Sequence, residues 1–303
     1  MTGLHADYAF TLLTYAFALS NLAYTIVTSI GNYEQDRSIT DAERQAKEER
    51  LNIAVDFLCR ASGIFSFLSE KVLPEWETSR ISPPNPHRPA DLTREVSSSI
   101  ARFVACSFFF DESKLLSYSM SLADAQTLAI RRLTSKSAYD SNITPGPPLP
   151  ASHRPPSLLA KLHIECASLY SSANTLMTTP GSSKKSSKDS NSKEVCSDLR
   201  RYVSNQAAFH NALSHKWLGV EAGEKGGTEK GGEAVAFMRW ARKELEDLKD
   251  KGKLVSLGAS ERDKEDRWKD RINNELASVN LFYKYYSKMN DTVNQCRFLW
   301  LVD

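Results

Sequence analysis

The sequence predicts an all-α fold, an antiparallel solenoid of long helices packed as hairpins. Three observations lead there. Apolar residues recur three and four positions apart in one segment after another. No stretch alternates convincingly at period two, as a half-buried strand would. Glycine and proline gather mainly at the ends of the periodic segments. At 303 residues, 41% hydrophobic and 25% charged, the chain can bury one or two sizeable cores.

The first predicted helix runs from Tyr8 to Ile30, with Gly31-Asn32 as its stop. Residues 8–33 carry no charged side chain, a run long enough to cross a bilayer. Thr11, Thr14, Ser20, Asn21, Thr25, Thr28 and Ser29 are spread around that helix, and a core helix of a soluble protein accounts for them better than a membrane span. Asp41 opens a second helix, whose stripe is Leu51, Val55, Leu58, Ser62 and Phe65; Pro74 closes or kinks it. Four prolines in residues 79–90 make a loop. A long helix is then expected from Asp91 to about Leu133, with Ile100, Phe103, Val104, Phe108, Leu115, Ala123, Leu128 and Leu133 as its apolar content. The triplet Phe108-Phe109-Phe110 must cover more than one face, which suits core filling.

The proline-rich stretch 144–157 is expected as a rigid surface strap, ahead of a helix with Leu158, Leu162, Cys166, Leu169 and Ala173 on one face. Residues 178–193, TTPGSSKKSSKDSNSK, have no apolar anchor and are expected to be a disordered insertion. The last third is hairpin material. Phe209, Leu213, Trp217 and Val220 line one helix; a glycine-rich turn at 224–232 follows; Ala234, Phe237, Ala241 and Leu245 line the next. Such a pair is the unit of α-helical repeat proteins. A final helix from about Asp263 to Met289 buries Ile272, Leu276, Val279, Phe282 and Tyr286.

Chemistry is sparse. The net charge of +2 creates no global field for nucleic acid or an anionic membrane. Five cysteines, odd in number and without a CxxC, point to reduced thiols in a cytosolic compartment. No secretory signal pattern opens the chain. His163 and Cys166 lie three apart on one helix, but two ligands do not make a structural zinc site; His210 and His215 are five apart, off the helical spacing. There is no GxSxG, HExxH or GxxxxGK[ST] motif. The expectation is therefore no catalytic residue, no cofactor and no metal, with scaffolding or binding as the work. A generic helical-repeat scaffold for some other peptide, a cysteine-histidine enzyme assembled by folding and a protein anchored by residues 8–33 are the competing readings.

Several motifs add a resemblance. RPPSLLAKLHIECASLYSSA, FHNALSHKWLGVEAGE, GGEAVAFMRWARKEL and the ending YYSKMNDTV resemble the family built on the BRO-type domain, also found in Alix, and within it the fungal pH-response regulators. The resemblance covers roughly residues 8–293. It implies a boomerang-shaped domain around a solenoid of tetratricopeptide-like hairpins. It also implies a cytoplasmic adaptor that binds the C-terminal helix of the ESCRT-III filament subunit, is recruited to the plasma-membrane cortex or endosomes, and works beside arrestin-like and calpain-like components that activate a transcription factor. Neither nucleic acid nor a cofactor is implied, and membrane association would be peripheral, through partners. The family's binding patch corresponds to about Ser98–Phe110, making Ile100, Phe103, Val104 and Phe108 the candidate protein-binding residues; the small and glutamine residues usual in relatives there are replaced by ARFVACSFFF. Both ends depart from the family pattern. The resemblance thus implies a partial domain over 1–293 without its N-terminal strands, which would otherwise cover helix 8–33, and a divergent tail over 294–303.

Overall fold

A computed structural model describes residues 2–72, 75, 111–143, 146–178, 197–227, 229–251 and 259–299. Among these residues there is no strand. The helices are α1 (Thr2–Ile30), α2 (Asp41–Phe67), α3 (Asp111–Ile143), α4 (Pro156–Thr178), α5 (Ser197–Lys225), α6 (Gly231–Lys251) and α7 (Ala259–Leu299). The all-α expectation holds. The predicted loop at 79–90, the first half of the helix expected from Asp91, and the insertion 178–193 fall largely or wholly outside the described residues.

Local chemistry explains the helix ends. Gly31, at φ +64°, takes the left-handed conformation that stops α1 where predicted. Thr40 caps α2: its hydroxyl oxygen accepts from the Glu43 N–H at 3.2 Å, and the Glu43 carboxylate accepts from the Thr40 N–H at 2.8 Å. Past Phe67 the coil loosens into a π-helical turn, Leu68–Val72. Pro156 occupies the first position of α4, where a missing N–H costs nothing.

The chain divides into two compact units, each discontinuous in sequence. The first takes Met1–Gly31, Gln45–Leu128 and Leu169–Ser204; the second takes Asn32–Arg44, Ala129–Ser168 and Asn205–Asp303. Helices α2, α3, α4 and α5 each give residues to both.

In the first unit α1 and α2 run antiparallel. Ala9, Leu13, Ala16 and Leu19 pack on Ala61, Phe65, Leu68 and Val72, while Ala23, further along α1, meets Ala54 and Leu58 nearer the start of α2. Alanine at every second contact lets the backbones approach closely. Asp124 of α3 accepts from the hydroxyls of Tyr170 and Tyr202, tying α4 and α5 to α3.

In the second unit successive helices again alternate in direction. His163 meets His210 and the Ser157 N–H meets Glu221, so α4 opposes α5. Gly219 lies against Ala234 and Met238 while His215 reaches Glu244, so α5 opposes α6. Gly231 lies against Asn290 and Arg239 against Tyr283, so α6 opposes α7. Helices α5 and α7 then run parallel, joined by Phe209–Trp268, Lys216–Glu275 and Glu224–Tyr286 contacts.

Most predicted stripes are buried as expected, including all five apolar residues of α7 and all four of α5. Two are rotated. On α4 the buried stripe runs through Leu159, His163, Cys166, Tyr170 and Ala173, with Ala160 and Ala167 beside it, and Leu158 faces solvent. Two polar side chains take places that apolar spacing assigns to Leu162 and Leu169, because His210 and Asp124 satisfy them. On α6 Met238 fills the core where Phe237 was expected, and Phe237 is half-buried beside His215.

Candidate functional site

The candidates Ile100, Phe103, Val104 and Phe108 lie outside the described residues.

Three surfaces and one interior cluster remain to be placed. On α1 the buried stripe is narrow. Tyr8, Phe10, Tyr15, Phe17, Leu22 and Tyr24 are exposed, so the core-helix expectation holds for one face and fails for the other. The stretch Asp7–Ile30 is long and apolar enough to cross a membrane, as is Asp41–Val72, by length and composition. The hydroxyls of Thr11, Thr14, Ser20, Thr25 and Thr28 each donate to the carbonyl four residues back, and that of Ser29 to the carbonyl three back. The exposed face therefore presents less hydrogen-bonding capacity than its composition suggests.

The second surface lies between α5 and α6. The His215 ring stacks on the Trp240 indole at 3.9 Å between centroids and 19° between planes, and its Nδ1 lies 2.8 Å from the Glu244 carboxylate. Asn211 donates to the other carboxylate oxygen at 3.2 Å. This fixes an indole that is 53% exposed, and rigid exposed aromatics are the side chains on which protein interfaces anchor. The third surface is the outer face of α7, where Leu281, Tyr285 and Met289 succeed one another at four-residue steps.

Beneath these surfaces the core is polar at chosen points. His163 and His210 are both buried, with their Nδ1 atoms 2.9 Å apart. One imidazole donates from Nδ1 and the other accepts there, so the acceptor is neutral with its proton on Nε2. Burial holds both well below the ordinary imidazole range, and the cations of Arg271 and Lys216 push His163 the same way. Lys216, itself buried, donates to Glu275 at 2.7 Å and sits over the Trp217 ring. Sequence spacing compared His163 with Cys166 and His210 with His215; the fold instead joins two histidines 47 positions apart.

Cys166 is fully buried. Cys59 is exposed, but partial burial and the neighbouring Asp56 raise its thiol, which lowers its nucleophilic fraction. It shares its unit with none of the imidazoles whose side chains are described. Among the described residues no three His, Cys, Asp or Glu side chains gather as metal ligands. What the second unit offers is a stack of rigid hairpins with aromatic and apolar side chains on its outside.

Comparison with known proteins gives this arrangement a context. The sequence profile of the BRO1-like domain matches residues 37–297. A fungal protein from Cryptococcus neoformans var. neoformans serotype D (strain B-3501A), named pH-response regulator protein palC, is 33% identical over 331 aligned positions. The alignment covers 97% of this chain and 64% of that relative, so the chain spans about two-thirds of the relative's length or slightly less. No solved structure matches the chain.

Proposed function

The chain belongs to the BRO1-like domain family, and from that premise we propose that it is a non-enzymatic adaptor of ambient-pH signalling. The observation that carries this reading is the likeness to a pH-response regulator along 97% of the chain, over antiparallel hairpins with rigid apolar side chains on their surface. In this reading the adaptor captures the C-terminal helix of the ESCRT-III filament subunit and acts at the cell cortex or endosomes. There it assists the assembly that leads to proteolytic activation of the pH-responsive transcription factor. Recognition is helix-in-groove: apolar side chains of the partner enter a preformed groove and flanking charges set register. Ile100, Phe103, Val104 and Phe108 are the proposed anchors.

A titration of the purified chain with a labelled peptide from that subunit's C-terminus tests the proposal. Binding is expected, and Ile100→Asp or Phe103→Ala should weaken it by at least about tenfold, since one buried apolar anchor contributes roughly 1.5–3 kcal/mol. A folded chain that ignores the peptide rules the reading out.

A further inference from the structure

Residues 146–155 cross from α3 to α4 as a strap with no helix of its own, and none of them is buried. The strap is fastened over the parallel helices α5 and α7. Gly146 lies against Leu281 of α7, Leu149 packs on the core, and just beyond the strap the Ser157 N–H donates to Glu221 of α5. Between these points the His153 ring lies 4.8 Å from that of Trp217, tilted by 39°. A segment held by half-buried side chains can lift without opening the helices beneath it.

The same indole already carries a cation. The Lys216 ammonium sits 4.9 Å from the centre of the Trp217 ring and is pinned there by Glu275. Lys216 is buried, so water screens its charge poorly, and a protonated His153 would bring a second cation to the ring. The carboxylates around the strap are engaged elsewhere. Glu221 accepts from the Ser157 N–H and Lys225, Asp140 from the Ser152 hydroxyl, and Glu224 from the Tyr286 hydroxyl. Burial holds the His153 imidazole below its ordinary range; the Arg154 carbonyl opposes this, Lys216 reinforces it, and Glu224 opposes it.

We propose that the strap is a latch set by one proton: it is shut on Trp217 while His153 is neutral and leaves the α5–α7 seam, with the helices intact, when His153 is protonated. The sign follows from linkage. A released imidazole regains its ordinary affinity for protons, so the open strap binds more of them than the shut one and falling pH favours release. Release uncovers the Trp217 indole.

Hydrogen–deuterium exchange of the full chain, corrected for the chemical exchange rate, tests the latch. From pH 7.5 to pH 5.5 protection across residues 149–154 should fall severalfold, about tenfold being the most that one imidazole with an ordinary value of 6.5 can supply. His153→Phe keeps a ring and takes no proton, so its strap should hold at both pH values. His153→Lys is charged at both and should be loose at both. All three chains keep His163 and His210, so acid weakening of the helical core is common to them and cancels. Fluorine NMR of the fluorotryptophan-labelled chain, with the Trp217 signal assigned by Trp217→Phe, should show that indole gaining solvent exposure in step with the strap. An unchanged strap in the parent chain, or an equal fall in His153→Phe, overturns the proposal. A strap that stays shut in a folded His153→Lys chain does so too; if that variant unfolds, the other two chains decide alone. Strap protection that falls only together with that of α5 and α7 reports general unfolding and equally refutes the latch.

Discussion

The buried imidazole pair makes a prediction about acid. In the folded chain His163 and His210 are held neutral, while in the unfolded chain each takes up a proton below its ordinary value of 6.5. The unfolded state thus binds more protons as the pH falls, so the stability this pair confers is complete above that value and is lost below it. Between pH 7 and pH 5 the loss should be roughly 2 kcal/mol per imidazole. Urea denaturation at the two pH values should show it, and a His163→Leu, His210→Leu double variant should show a shallower dependence. Gly223 supplies a second prediction at the same scale. A Cβ there would overlap the Tyr286 ring, whose hydroxyl donates to Glu224 at 2.8 Å. Gly223→Ala should therefore cost about 1–3 kcal/mol by denaturant titration, more than helix propensity alone would return. Neither feature was legible in the sequence: a partner 47 positions away leaves no local trace, and a glycine within a helix looks like a weakness until the ring beside it is seen.

Elements were more legible than side chains, because helix starts and stops are written in adjacent residues. Thr40 and Glu43 are a capping pair readable from the sequence, and Thr40→Ala should destabilise the chain by about 1 kcal/mol in a thermal melt. The inward stripes of α5 and α7 were equally readable, since their apolar residues keep their core positions even where His210 and Lys216 join them on α5. On α4 and α6 the reading slipped by one position. His163 and Tyr170 bury polar rings that only tertiary partners make affordable, and flexible Met238 fits a gap that Phe237 does not. α1 was legible as a helix and not as a surface. Its inner face depends on small residues, and Ala16→Leu should lower stability by about 1–3 kcal/mol by overpacking α2, whereas Tyr15→Ser on the outer face should leave it nearly unchanged.

At the scale of the molecule, membership of a family says more about function than any single side chain does. The described residues hold no assembled chemistry, and their polar clusters are spent on packing helices together. One consequence can be checked without a partner. Composition predicts that trypsin cuts first within the lysine-serine stretch 178–193. Because α4 and α5 are joined through His163–His210 and Ser157–Glu221, the two fragments should remain together on size exclusion. Fragments that separate would mean these links do not hold the hairpin. The interleaving of the two units carries a different lesson, for genetics. Each unit draws on three separate stretches of the chain, and α2, α3, α4 and α5 serve both. No pair of stop and start codons can isolate either unit, and a truncation that passes Gly31 from the N-terminus or Asn205 from the C-terminus removes part of both. A deletion series would score every segment as essential, whatever its role; point changes on exposed faces are the alleles that can tell a recognition surface from a supporting beam.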